Sequence, residues 1–311
     1  MGMLVRKGGQ DRVALSAHNL LGRSSACTLR LDTPRASAEH ARIAYRDGAW
    51  TVRDLGSRNG TFVNDERLDP GGVRMLRAGD EIAFGDPAAT WTLADASQPV
   101  PMARKLRTDS VIAGQPGLLP LPSPDDPRCC IVEDTSGAWH VESEGLTRQA
   151  TDGEILDILG EPFMLHLPVP VAATVEPEQV LRVSDVDLAF RVSRDEEVVE
   201  LSVITPKAQR VLLPRSHHYM LLTLARVRVK SRDEGRLEPL QRGWVFVDDL
   251  CRMLSTDENK LNVEIFRVRQ EMGQLGLTNG AAIVERRRGS RQLRVGTERI
   301  SIAWMDALEP Q

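Results

Sequence analysis

Residues 54–64 read DLGSRNGTFVN: Asp54, Gly56, Ser57, Asn59 and Gly60 fall within seven positions, and Thr61-Phe62-Val63 follow at once. Such a run permits no helix; it is a turn delivering the chain into a strand. On its N-terminal side, HARIAYRDGAWTVRD (40–54) is two strand-like runs around Asp47-Gly48. VALSAHNLLG lies further upstream, and TFVNDERL and DEIAFGDPAATWTLAD lie downstream. Short runs rich in β-branched and aromatic residues, separated by Gly, Asn, Asp and Pro, predict an all-β sandwich or barrel over residues 1–96.

Beyond it the character of the chain changes twice. Pro99, Pro101, Pro116, Pro120, Pro122, Pro124 and Pro127 fall within residues 97–127, which read as a Pro-rich linker. Residues 128–175 read as a small β segment. In it GAWHV (137–141) echoes GAWTV (48–52), and DGEI (152–155) echoes GDEI (79–82). Either this is a second sandwich stripped of its loops, or any glycine turn followed by a strand looks the same. Over 183–304 the expected order is strands, a helix at HHYMLLTLARVRV, a short strand and helix at GWVFVDDLCRML, a longer helix, and a hairpin turning near Gly289. In the longer helix Leu261, Ile265, Val268 and Met272 recur at three- and four-residue steps. That is the order of a winged helix. The expected fold is therefore multidomain: an all-β sandwich, a β-rich middle and an α+β C-terminal domain.

The chain has 311 residues, with 40 basic and 44 acidic side chains and a net charge of -4. That length accommodates two or three domains, and 41% hydrophobic content excludes wholesale disorder. The net charge hides a segregation: +1 over residues 1–97, -11 over 98–206 and +8 over 207–299. A basic C-terminal region thus coexists with an acidic middle that is able to screen it. Cys27, Cys129, Cys130 and Cys251 form neither a CxxC pair nor a disulfide framework. The N-terminus has no apolar signal-like run, and the most apolar later stretch, from Phe163, contains a His and two Pro. The expectation is a cytoplasmic protein that uses no membrane, metal or cofactor.

Enzyme chemistry finds little footing. GRSS lacks the Gly-Lys-Ser/Thr ending of a P-loop. His217 and His218 are expected to be one packed and one exposed side chain, because neighbours on a helix face different ways. Asp248 and Asp249 suit a helix N-terminus, and Cys251 an apolar helix face. No nucleophile–base set emerges, and a non-enzymatic role is expected.

LLGRSS (20–25), SAEHARI (37–43), DLGSRNGTFVN (54–64) and LRAGDEIAFG (76–85), in that order, resemble the forkhead-associated (FHA) domain over about residues 5–95. The resemblance implies a β-sandwich that binds phosphothreonine peptides through its apical loops. Arg23 matches the phosphate-binding Arg and Ser37 the hydroxyl that donates to phosphate. Arg58 precedes Asn59, which matches the Asn holding the peptide main chain; Asn64 lies where the family often places another. Arg35 sits where the peptide's third residue after phosphothreonine is read, or is simply a solvated Arg. Gly22, His40, Gly60 and Thr61 match structural positions, with His40 bracing the loop around Ser37. Ala38 departs from the Arg or Asn common there. The chemistry agrees: phosphothreonine carries about -1.5 to -2 charges and three acceptor oxygens, and an Arg fork suits phosphate.

Residues 183–302 resemble the winged-helix effector domain of response regulators. That resemblance implies a third helix in a DNA major groove and a hairpin wing on backbone or minor groove. Lys260, Asn262, Arg267 and Arg269 on the third helix, and Arg286, Arg287, Arg288 and Arg291 around the hairpin, are the candidate DNA contacts. The combined expectation is a regulator that couples Ser/Thr-kinase signalling to transcription through double-stranded DNA. Its partner is a phosphothreonine-containing protein such as a kinase or its substrate. The alternative is a phospho-dependent adaptor whose winged helix binds protein. Thr108, after Arg104, Lys105 and Arg107, is either an unmodified linker residue or a kinase target able to mediate self-association.

Overall fold

In the computed structural model, residues 1–9, 11–134, 136–143, 146–168, 181–206, 208–277 and 279–305 are described. The chain divides into two compact units, one built on Met1–Met102 and the other on Ala103–Leu165 with the C-terminal part of the chain.

The first unit is a β-sandwich of β1 (Met3–Arg6), β2 (Arg12–Ala14), β3 (His18–Gly22), β4 (Leu29–Arg30), β5 (Ala41–Arg46), β6 (Ala49–Asp54), β7 (Thr61–Val63), β8 (Glu66–Arg67), β9 (Val73–Leu76), β10 (Glu81–Phe84) and β11 (Thr90–Asp95). One sheet runs β2-β1-β11-β10-β7-β8 and the other β4-β3-β5-β6-β9. Period-two alternation decides which side chains fill the space between them. Along β6, Trp50, Val52 and Asp54 are buried while Arg53 is exposed. Leu4, Leu21, Ile43, Ile82, Phe84 and Leu93 complete the core.

The second unit begins with eight strands: β12 (Met102–Lys105), β13 (Val111–Ala113), β14 (Leu118–Leu121), β15 (Cys129–Glu133), β16 (Trp139–Ser143), β17 (Leu146–Gln149), β18 (Ile155–Ile158) and β19 (Glu161–His166). The sheets run β13-β12-β19-β18 and β14-β15-β16-β17. These orders repeat β2-β1-β11-β10 and β3-β5-β6-β9 of the first unit. The hydrogen bonds repeat too. Gly79 N–H donates to Leu93 O and Leu93 N–H to Asp80 O, at 2.8 and 2.9 Å; Gly153 donates to Leu165 and Leu165 to Glu154, at 3.0 and 2.8 Å. His40 N–H to Leu21 O, 2.8 Å, is matched by Arg128 N–H to Leu121 O, also 2.8 Å. The echoes of GAWTV and GDEI thus fall at equivalent strands.

This corrects the reading of 97–127 as a linker, since β12, β13 and β14 lie within it. Proline misled there for a physical reason. β14, which carries Pro120, is an edge strand, where a missing N–H costs no ladder bond. The stretch 169–175, assigned above to the β segment, lies outside the described residues.

The rest of the unit is β20 (Asp187–Val192), β21 (Val199–Ile204), β22 (Gln209–Leu212), α1 (Ser216–Asp233), β23 (Val245–Phe246), α2 (Val247–Leu254), α3 (Glu258–Gln274), β24 (Val284–Arg286), β25 (Gln292–Val295) and β26 (Ile300–Trp304). Asp257 caps α3, accepting from the Lys260 N–H at 2.9 Å. β23, β25 and β24 form a small sheet, and β22-β21-β20-β26 a larger one in which β26 returns parallel to β20. Met220, Leu221, Leu224, Leu250, Leu261, Ile265, Val268 and Met272 make one core with Leu188, Phe190 and Leu201. Among the described residues no helix is long and apolar enough to cross a membrane.

Candidate functional site

Four loops of the first unit, after β3, β4, β6 and β10, are tied to one another. Gly22 ends β3, and its close packing explains the glycine: a Cβ there would lie 2.2 Å from the Ala38 carbonyl oxygen. The next residue, Arg23, donates its backbone N–H to Ser37 O at 2.9 Å and its Nε to Ala36 O at 2.6 Å. Its guanidinium is thereby aimed from the stem and not left to swing. Arg23 and Arg58 are exposed, and neither forms an ion pair among the described residues. Ser37 lies between the two loops, and its hydroxyl oxygen accepts the Arg58 backbone N–H at 3.1 Å. That leaves the hydroxyl proton free to donate outward.

Behind this surface His40 is fully buried. Its Nδ1 accepts the Ser37 N–H at 3.0 Å, and its Nε2 lies 3.1 Å from Gly60 O. A carbonyl oxygen cannot donate, so the ring is the neutral tautomer with its proton on Nε2. Burial lowers its pKa from the ordinary histidine value, although the Gly60 carbonyl opposes this. Gly60 has φ +87°, and its carbonyl also receives the Gly85 N–H at 2.9 Å. One imidazole therefore ties the β4–β5 loop to the β6–β7 loop, and the Gly60 carbonyl it meets carries the link on to Gly85 after β10.

Asp54 organises the β6–β7 loop, and the sequence reading missed it. Its carboxylate accepts the Gly56 and Ser57 N–H groups at 2.8 and 2.9 Å and the Ser57 and Thr61 hydroxyls at 2.6 and 2.7 Å. Burial alone would raise its pKa; the hydroxyls of Ser57 and Thr61 and the two amides outweigh it and hold the carboxyl below its ordinary value. The signal was present as Asp-x-Gly-Ser, an Asp two residues before a turn glycine.

The remaining candidates separate. The Asn59 side-chain amide donates to Arg35 O at 2.7 Å, bridging two of the loops at the exposed rim. The Arg35 side chain is exposed, 3.9 Å from the Asp86 carboxylate. Asn64 is not turned toward the site. It has φ +51° in the β7–β8 turn, its Nδ2 donates to Asp80 and its Oδ1 accepts the Glu81 N–H, both at 2.9 Å. It pins a turn to β10, which corrects its assignment as a peptide contact.

The basic residues of the C-terminal half also sort differently from expectation. Arg269 is 2% exposed; it donates to Glu142 of β16 at 2.7 and 3.1 Å and to Val284 O at 2.7 Å. Arg286 joins the same carboxylate at 2.9 Å and donates to the Asn262 Oδ1 at 2.8 Å. Arg288 approaches Asp134 at 3.5 Å, Arg291 binds Glu258 and Asp248, and Arg287 binds Gln292 and Gln241. Of the eight candidate DNA contacts, Lys260 and Arg267 are exposed and make no ion pair among the described residues. The second sandwich, which no local pattern in α3 announced, holds Arg269, Arg286 and Arg288, while Arg287 and Arg291 are held by the C-terminal domain's own Gln241, Gln292, Asp248 and Glu258.

His217 and His218 differ from expectation as well. Both are buried, and both reach one oxygen of Glu271, at 3.2 and 2.7 Å. At the first turn of α1 the two rings converge on α3 instead of diverging. Burial would raise the Glu271 pKa, but hydrogen bonds from His217 and His218 hold it down at about 2.

Residues 19–85 match the family model for the FHA domain. The chain is 37% identical over 92 residues to an oxoglutarate dehydrogenase inhibitor of Corynebacterium diphtheriae, covering 27% of this chain and 59% of that protein. It is 44% identical over 58 residues to the FHA domain-containing protein FhaB of Mycobacterium tuberculosis, covering 18% of this chain and 37% of that one. A solved structure of Mycobacterium tuberculosis EmbR with a low-affinity phosphopeptide aligns at 26% identity, covering 31% of this chain and 25% of that chain, with a TM-score of 0.29. The chain thus spans less than two thirds of these relatives. The first unit carries an FHA domain, a family whose members are phosphopeptide-binding modules.

Proposed function

We propose that this chain is a phosphothreonine-dependent signalling protein whose FHA loops read a phosphorylated partner. The observation that carries the reading is the grouping of Arg23, Ser37 and Arg58. Arg23 and Arg58 both bond Ser37 through their backbone N–H groups, Arg58 at the hydroxyl oxygen and Arg23 at the carbonyl, and their exposed side chains make no ion pair among the described residues. Such a site lacks negative charge and offers outward donors, and a phosphate supplies what is missing. In this reading Asn59, at the exposed rim, holds the peptide main chain. In a direct test, fluorescence anisotropy compares a phosphothreonine peptide library with its unphosphorylated twin. Preference for the phosphorylated set, lost in Arg23→Ala, supports the reading; equal binding of the two sets refutes it.

For the C-terminal half the proposed reading is a winged helix, supported by the order sheet, α1, β23, α2, α3 and β24–β25 hairpin. Its two proposed roles, DNA binding and a protein-binding adaptor, are weighted differently by the ion pairs. With Arg269 and Arg286 held by Glu142, the conformation described favours a protein-facing role. A DNA role requires the second sandwich to leave α3.

A further inference from the structure

The α3 helix buries two faces. Leu261, Ile265, Val268 and Met272 point into the helical core. A second stripe one residue on, Asn262, Phe266, Arg269 and Gly273, is the face that a free three-helix domain would show to its surroundings. Here the second sandwich covers it. Phe266 packs with Leu118, Cys130 and Val132. Arg269 binds Glu142, and Gln115 lies 3.4 Å from where a Gly273 Cβ would be. Asn262 shares a cavity of about 520 Å³ with Arg128, Val141 and Ser143.

The chemistry of the cover is unlike that of a permanent core. At its centre one carboxylate, Glu142, takes two guanidiniums within a buried setting. Burial would raise the Glu142 pKa, and Arg269 and Arg286 outweigh it, so the group stays an anion. A buried ion pair is a poor source of stability compared with an apolar contact of the same size, but it specifies position. Around it, α3 and the segment before β24 contribute Phe266 and Ala281 to a small apolar cluster. Glu142 therefore stands where an anionic oxygen of a ligand would stand, between arginines of the third helix and the hairpin.

We propose that the second sandwich is a reversible cover on an anion-binding face, with Glu142 as its latch. The competing occupant is the phosphate backbone of duplex DNA, which Arg269, Arg286 and Arg288 engage once the cover leaves. This rests on the DNA role of the winged-helix reading above, the role that the covered conformation holds off. The acidic middle of the chain, -11 over residues 98–206, then has a local role: it supplies the carboxylate that replaces phosphate. The repeat supports it. Pairing Trp50 with Trp139 puts Glu142 at the position of Arg53, Ser143 at Asp54 and Arg128 at His40. The second sandwich thus keeps the strand order without the residues that build a phosphate site, and uses the face of β16 for docking.

The test uses the full chain. Glu142→Gln keeps the shape and removes the charge. It is expected to raise amide hydrogen exchange over residues 261–273 and 284–286. It should also bind a random-sequence duplex pool roughly tenfold or more tighter than wild type, with affinity falling steeply as salt rises. Unchanged exchange overturns the latch while leaving the DNA reading open to other evidence. Raised exchange without salt-sensitive binding overturns the proposal through the DNA reading itself. Should Glu142→Gln lose its cooperative melt, Arg288→Gln, which removes the exposed rim pair with Asp134 and leaves the Asp134 bonds to His140, Ser136 and Ala138 in place, replaces it with the exchange readout and with duplex binding compared across salt. No exchange difference and no change in duplex binding there count equally against the proposal.

Discussion

Replacing Asp54 by Ala tests whether the phosphopeptide surface is built from beneath. The carboxylate is 2% exposed and accepts four hydrogen bonds, from two amides and two hydroxyls. A hydrogen bond to a charged group contributes about 1.5–3 kcal/mol, and a buried partner left unsatisfied costs about 1–3 kcal/mol. The losses do not add, because the Gly56 and Ser57 amides lie near solvent and regain water. Thr61, fully buried, does not. The expected destabilisation is about 2–4 kcal/mol, which for a domain of this size lowers Tm by roughly 10 °C or more. The loop from Gly56 to Gly60 carries Arg58 and Asn59, so phosphopeptide affinity falls with stability. Asp54→Asn retains an acceptor for the amides and is expected to lie between. A pH series gives an independent limb. The folded carboxyl titrates below its unfolded value. Its contribution is therefore present above the ordinary Asp pKa and is lost as pH falls through the folded one. The wild-type advantage over Asp54→Ala should shrink with acid. Calorimetry and anisotropy on the full chain provide the measurements; wild-type melting and affinity in Asp54→Ala would refute the reasoning.

Gly22→Ala should destabilise the first unit by about 1–3 kcal/mol, the usual range for overpacking, because the new methyl meets the Ala38 carbonyl; chemical denaturation measures it. His40 is held neutral with a lowered pKa, so unfolded chains take up a proton near pH 6.5 that folded ones refuse. Stability of the FHA unit should be full above that pH and decline as pH falls below it, a trend that His40→Gln flattens. Arg269→Met leaves the buried Glu142 with one of its two cations and should cost about 3–5 kcal/mol, with part of the loss returned by adding Glu142→Leu; equal melting of the single and double variants would contradict this. Glu271, at about 2, supports the second unit above the ordinary Glu pKa and loses that support as pH falls toward 2; acid denaturation of Glu271→Gln should begin from a lower stability and show a weaker pH slope.

Much of the loop framework around Arg23, Ser37 and Asn59 was legible because its requirements are local. Gly22 permits a close approach, Asn59 and Gly60 make a turn, and Arg23 and Ser37 flank it within short reach of rigid strands. Asn64 deceived because the same residue type serves a left-handed turn as well as a peptide contact, and only the positions of Asp80 and Glu81 choose between them. Asp54 was overlooked because its partners are defined by the loop it creates.

The sequence by itself determined the strand periodicity, the turn chemistry, the apolar face of α3 and the segregation of charge. These depend on neighbours a few residues apart. Tertiary structure decided what the charges do. Arg269 and Glu142 are separated by 127 residues yet share a buried bond of 2.7 Å, and no helical period indicates whether an arginine meets a phosphate or a carboxylate of its own chain. It also decided that the proline-rich stretch belongs to strands, since a proline is tolerated where the ladder ends. Edges and partners are properties of the assembled sheet.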